Sequence, residues 1–139
     1  MYNGVNFKRL KKNHDFLKVY RKGKSLAQHY IVMYYIANGL KFNRIGFSIS
    51  KKVGNSVVRN RIRRLIFESF LLQQDKIEQG YDFVFIARKK ASVAGFKEVS
   101  NNIERLLEKV GLKNKHKILF SFNNPFLSET YFAFKETEL

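Results

Sequence analysis

The sequence predicts an α+β sandwich of sheet and helices, in the order helix, two or three strands, helix, strand, helix. Three observations predict it. Runs rich in β-branched and aromatic residues alternate with a period of two, and other segments repeat apolar residues at three- and four-residue spacing. The 139 residues, 45% hydrophobic with 14 Phe and 7 Tyr, are enough for one domain around one core.

The first element is a short helix in "KKNHDFLKVYRKG". Asn13 is placed to cap it, Asp15 suits the positive helix end, and Gly23 terminates it. Phe16, Val19 and Tyr20 share one face. "HYIVMYYIA" (29–37) follows as a strand, with Tyr30, Val32, Tyr34 and Ile36 on one side and Ile31, Met33, Tyr35 and Ala37 on the other. Asn38-Gly39 marks a turn. "RIGFSIS" (44–50) sets Ile45, Phe47 and Ile49 on a buried face against Gly46, Ser48 and Ser50 on a small, polar one. The two strands together read as an antiparallel hairpin.

A second helix runs from Ser56 to about Gln74, capped by Asn55 or Ser56, with an apolar stripe through Val58, Ile62, Leu65, Ile66, Ser69 and Phe70. "YDFVFIA" (81–87) is a strand, with Tyr81, Phe83 and Phe85 opposed to Asp82, Val84 and Ile86. The last helix spans Phe96 to Val110, carries Phe96, Val99, Ile103, Leu106, Leu107 and Val110 on one stripe, and closes at Gly111. Composition shifts after Lys117, dividing a 1–117 domain from a 118–139 tail with the only proline and five phenylalanines.

Charge is the strongest global signal. The formal net charge is +16. Residues 1–64 hold 16 Lys or Arg and one acid, Asp15, while residues 65–139 hold 11 Lys or Arg and 10 acids. So segregated an excess points to a polyanionic partner, and the interleaved aromatics favour nucleic acid over membrane. Cysteine is absent, which excludes a disulfide framework, a thiol nucleophile and a Cys-containing zinc site. The basic N-terminal residues precede no apolar run, and no stretch is long enough to span a bilayer, so the expected location is the cytoplasm.

The densest cations lie on the second helix, in "SKKVGNSVVRNRIRRLIFES". With Val58, Ile62, Leu65 and Ile66 inward, Arg59 and Arg63 stack on one side and Arg61 and Arg64 on the other. Lys51 and Lys52 precede the helix, and the Gly54–Ser56 turn brings backbone N–H groups to its N-terminus. Only Glu68 stands four residues from an arginine, Arg64, so the repulsion is largely uncompensated until a polyanion arrives. Planar guanidinium forks beside helix N-terminal donors suit phosphate oxygens.

"GFSISKKVGNSVVRNRIRRLIFESF" resembles the signature of the bacterial ribonuclease P protein subunit, an Arg-Asn-Arg run on a helix after a Lys-Lys-x-Gly-Asn turn. "RLKKNHDFLKVYRKG" and "YDFVFIARKKAS" extend the resemblance over roughly residues 7 to 112. It implies an αβββαβα two-layer sandwich similar to domain 2 of ribosomal protein S5. That fold has a left-handed β-α-β crossover and a short extra strand near Lys24–Ala27. It further implies an RNA-binding subunit of an endoribonuclease that removes the 5′ leader from precursor tRNA, with catalysis in a magnesium-using RNA subunit. Leader-cleft residues would be Phe16, Tyr20, Tyr34 and Ser48. The basic loop and helix would supply Lys51, Lys52, Asn55, Arg59, Asn60, Arg61, Arg63 and Arg64. The implied partners are ribonuclease P RNA and precursor tRNA, with no membrane, no DNA and no cofactor held by the protein. The family often has proline where Lys90 stands.

The residues show no nuclease site of their own. His14, His29 and His116 match no metal spacing, and one acid in the first 64 residues cannot build a two-metal site. Glu104 and Glu108, interleaved with Arg105 and Lys109, read as a solvated face. Neither GxxxxGK[ST] nor GxGxxG occurs. Two alternatives share the charge: a structural ribosomal protein, and a DNA-binding regulator. The latter needs a helix just before residue 56, where the sequence reads as strand. The tail, with Lys135 against three acids, is expected to pack on the domain or on another copy and not to serve as an RNA arm.

Overall fold

The computed structural model describes residues 7–113. In chain order these form β1 (Phe7–Arg9), α1 (Asn13–Lys22), β2 (Lys24–Ala27), β3 (Ile31–Ala37), β4 (Asn43–Ser48), α2 (Ser56–Gln73), β5 (Tyr81–Ala87) and α3 (Phe96–Lys109). Short 3-10 turns occupy Gln74–Lys76 and Lys89–Val93. The strand near Lys24–Ala27 is present as the resemblance implies. β1 was not legible, because three residues are too few to show a period. The 118–139 tail, with its boundary, lies outside the described residues.

The strands make one sheet in the order β1-β4-β5-β3-β2. β4 runs parallel to both β1 and β5, whereas β3 is antiparallel to β5 and β2. The expected hairpin between residues 29–37 and 44–50 is therefore corrected: β5 lies between its two arms. Both faces of β5 are apolar, and Phe83, Val84 and Phe85 are fully buried. An edge position would have exposed a side of that strand, and the parallel β4–α2–β5 crossover gives it the centre instead. The link after β3 passes over the start of β5, with the Asn38 N–H donating to the Gly80 carbonyl at 2.8 Å.

One face of the sheet carries the main core. Ile31, Met33, Ile45, Phe83 and Phe85 meet Ile62, Ile66 and Phe70 of α2 and Val99, Ile103, Leu106 and Leu107 of α3. Phe70 is its hub, edge-on to Phe7 at 5.1 Å and to Phe83 at 5.5 Å. Those contacts hold β1 in place. Each such side chain contributes about 1.5–3 kcal/mol by leaving water. The sandwich thus comprises the sheet with α2 and α3, and α1 adds a partial cover on the other face. There Phe16, Val19 and Tyr20 pack with Leu10, Tyr34, Ile36, Val84 and Ile86.

The caps follow in part. Asn55 caps α2, its side-chain oxygen accepting from the Val58 N–H at 3.0 Å. Asn13 is the first residue of α1 and not its cap; Lys12 holds that position without a side-chain bond. Glu104 corrects the solvated-face expectation. It is buried, and its carboxylate accepts from the equally buried Lys113 ammonium at 2.6 Å, with Glu108 accepting from the same ammonium at 3.2 Å. The chain turns back after Gly111 and pairs Lys113 with Ile77, which lays the ammonium over α3. A residue beyond the helix satisfies the acid, so helical spacing could not show it.

Candidate nucleic-acid interface

α1 crosses β4 at Gly46. A β-carbon there would sit 2.7 Å from the Phe16 ring tip and 3.2 Å from Leu10 Cβ, so the absent side chain lets the helix lie close. The small face of β4 is thus roofed by an aromatic helix at buried Gly46 and opens toward half-buried Ser48. β1 pairs with β4 only as far as Ile45, which leaves the far end of β4 without a neighbour on that side. A cleft of about 470 Å³ opens there, lined by Asn13, Phe16, Leu17, Tyr20, Phe47 and Ser48.

Three of the four expected cleft residues, Phe16, Tyr20 and Ser48, therefore line one cavity. Tyr34 stands behind them, edge-on to Tyr20 at 5.2 Å and 89°, and buttresses that ring without forming the wall. Phe16 and Tyr20 lie 6.5 Å apart and are both half-buried, so each has a packed side and an open side. Leu17, Phe47 and Asn13 were not anticipated as lining. Leu17 is an exposed apolar residue on a basic helix, a signal available in the sequence. Phe47 alternates with Ile45 and reads as core; its ring is half-buried against the main core and also lines the cleft. The Arg9 guanidinium lies 5.4 Å from that ring's centroid.

Beyond Ser48 the chain makes a tight basic turn. The Val53 N–H donates to the Ser50 carbonyl at 3.1 Å, and buried Val53 pins the turn while Lys51 and Lys52 stay exposed. Gly54 allows the approach to α2, since a β-carbon there would be 2.9 Å from Val58 Cβ. Asn55 then caps α2 through the Val58 N–H, and Ser56 and Val57 at the helix start are exposed.

The arginines of α2 divide by what they touch. Arg63 donates to the Asn60 side-chain oxygen at 2.7 Å on the exposed face. The Arg59 Nε donates to the Gly54 carbonyl at 3.2 Å, tying the helix to the basic turn. Arg64 is exposed. Arg61 departs from the outward direction expected of it. Its two terminal nitrogens donate to the Ala94 carbonyl at 2.9 Å and the Ser92 carbonyl at 2.7 Å. Among the described residues no ion pair reaches any of the four, and Glu68 makes none with Arg64. The arginine face is uncompensated.

Among the described residues, the first-half Lys or Arg that forms an ion pair is Arg44. Its guanidinium grips buried Asp82 through two bonds of 2.8 and 2.7 Å, with Asp15 at 3.5 Å. The hydrogen bonds that Arg44 donates to Asp82, with the charges of both acids, push the guanidinium further up from its ordinary value against the opposing effect of burial. Asp15, the single acid of the basic half, is thereby turned toward an internal ion cluster. His14 stands 3.3 Å from Asp15, and His29 packs edge-on against Tyr30 at 4.5 Å. His116 lies outside the described residues. Among the described residues no three His, Cys, Asp or Glu side chains converge as a metal site, and no helix is long and apolar enough to cross a membrane.

The family model described as Ribonuclease P matches residues 5–111. This chain belongs to the ribonuclease P protein family. It is similar to the ribonuclease P protein component of Caldanaerobacter subterraneus, 52% identical over 75% of this chain and 90% of that one. The component from Alkaliphilus oremlandii is 49% identical over 76% of this chain and 93% of that one. Among solved structures, the Staphylococcus aureus RNase P protein superposes with a TM-score of 0.71 at 37% identity, over 76% of this chain and 97% of that one. The ribosomal reading gains no support from these ribonuclease P relatives.

Proposed function

We propose that this chain is the RNA-binding subunit of ribonuclease P, the endoribonuclease that removes the 5′ leader from precursor tRNA, and that it works in the cytoplasm. The observation that carries the mechanism is the junction of two unlike surfaces: a half-buried aromatic cleft, and a helix whose arginines form no ion pair among the described residues, which starts eight residues after Ser48 and five after Lys51. Single-stranded RNA needs both, because unstacked bases gain from aromatic faces and the backbone gains from cations.

In this reading Phe16 and Tyr20 are stacking platforms for leader bases, Tyr34 fixes the Tyr20 ring, and Ser48 offers a hydroxyl at the cleft floor. Lys51 and Lys52, on the turn after Ser48, take leader phosphates. Arg59, Asn60, Arg63 and Arg64 face the RNA subunit, and Asn55 keeps the helix N-terminus open to phosphate. The bond is cut by that RNA with its magnesium ions, and the chain's own residues bind and orient the substrate.

Reconstitution tests the reading. Adding the protein to a bacterial ribonuclease P RNA at low magnesium should restore precursor tRNA cleavage. A folded protein that leaves RNA-alone cleavage unchanged would contradict it.

A further inference from the structure

Arg61 sits in the middle of the Arg-Asn-Arg run, yet its fork is turned across to the connection between β5 and α3. Its terminal nitrogens donate to the Ser92 and Ala94 carbonyls at 2.7 and 2.9 Å. Both carbonyls lie at the C-terminal end of the Lys89–Val93 3-10 turn, where carbonyls lack partners within the turn and favour a cation. The turn is already anchored below, since Ala91 and Ala94 are buried in the core. What Arg61 adds is lateral: it fixes the turn against the first half of α2. The consequence lies on the surface. Arg88, Lys89 and Lys90 are all exposed at this turn, and among the described residues none forms an ion pair.

We propose that Arg61 is a positioning residue, which braces the Lys89–Val93 turn against α2 so that Lys89 and Lys90 continue the arginine face as one surface for an RNA backbone. It does so without itself ligating phosphate. The proposal rests on the RNA-binding reading above. The chemistry of the side chain supports it. A guanidinium can span two carbonyls with one rigid plane, whereas an ammonium is a point donor on a flexible stem. A point-charge phosphate contact would tolerate lysine; a two-carbonyl brace would not.

The test compares Arg61→Lys, Arg61→Met, the pair Lys89→Ala/Lys90→Ala, and the combination of Arg61→Met with that pair. Amide hydrogen exchange over residues 88–95 is measured in the free protein, and affinity for a bacterial ribonuclease P RNA across a salt series. Both Arg61 variants should speed exchange in this segment selectively, and both should weaken RNA binding. Neutralising the two lysines should lower the salt slope by about 1 to 2. Arg61→Met should then weaken binding no further in that background. Unchanged exchange in 88–95, full affinity for Arg61→Lys, or additive losses in the combined variant would each overturn the brace. If the wild-type protein bound no ribonuclease P RNA, the functional reading and the RNA-facing half of this proposal would fall together, while the exchange measurement would still judge the brace.

Discussion

The aromatic cleft and the arginine helix adjoin along the chain but are built on opposite principles. The cleft is a by-product of packing: α1 settles on Gly46, β1 stops at Ile45, and the half-buried rings of Phe16 and Tyr20 are left with one side open. The arginine face has the reverse logic. Its apolar stripe through Ile62, Ile66 and Phe70 is wholly buried, and among the described residues no acid pairs with the arginines set beyond the stripe. Stacking is short-ranged and tolerant of salt, while the charge is long-ranged and screened within about 10 Å at 0.1 M salt. A single RNA ligand should therefore be held by two terms that respond to different perturbations.

The largest effect should come from confusing the two faces of α2. Ile62→Asp would bury an unpaired charge in the main core and should abolish the cooperative thermal transition. Arg63→Ala, on the exposed face, should leave the transition within a few degrees while reducing affinity for ribonuclease P RNA. Its log-log salt slope should drop by about 1, the signature of one lost phosphate contact. Equal destabilisation by the two variants would show that the faces are wrongly assigned.

Gly46→Ala should act on the cleft alone. The added methyl meets the Phe16 ring at 2.7 Å and must move it, so binding of leader-bearing precursor should fall with little change in the salt slope. A variant that altered the slope as much as Arg63→Ala would erase the distinction between the two regions. The smallest effect is expected from the tail, proposed here as a packing segment. Deleting 118–139 should lower thermal stability or change the mass seen by light scattering, while cleavage by the reconstituted enzyme is largely kept. Lost cleavage with unchanged stability and mass would mean that the tail serves RNA.

Much of this was legible because the signals were local. The stripe of α2, the two apolar faces of β5 and the Asn55 cap are all set by residues within a turn or two of one another. What stayed hidden depended on distant partners. The place of β5 between β3 and β4 follows from which strand most needs two covered faces, a competition among segments some 40 residues apart. Glu104 reads as solvated until Lys113 folds back over it, and nothing in the alternation of Phe47 with Ile45 shows that the half-buried ring also lines the cleft. Arg61 illustrates the same limit at the site itself: helical spacing sets its angle around α2, and only the neighbouring turn shows what its fork holds.

The most direct test of the account is leader discrimination by the reconstituted holoenzyme. Affinities for precursor tRNA and for mature tRNA would be measured with the wild-type protein and with Phe16→Ala, after confirming that the variant is folded. The account predicts a loss of roughly 1 to 3 kcal/mol for the precursor and nearly unchanged affinity for mature tRNA, which has no leader to stack. Equal losses for the two ligands would contradict it, because the cleft would then be a general RNA contact or a piece of core.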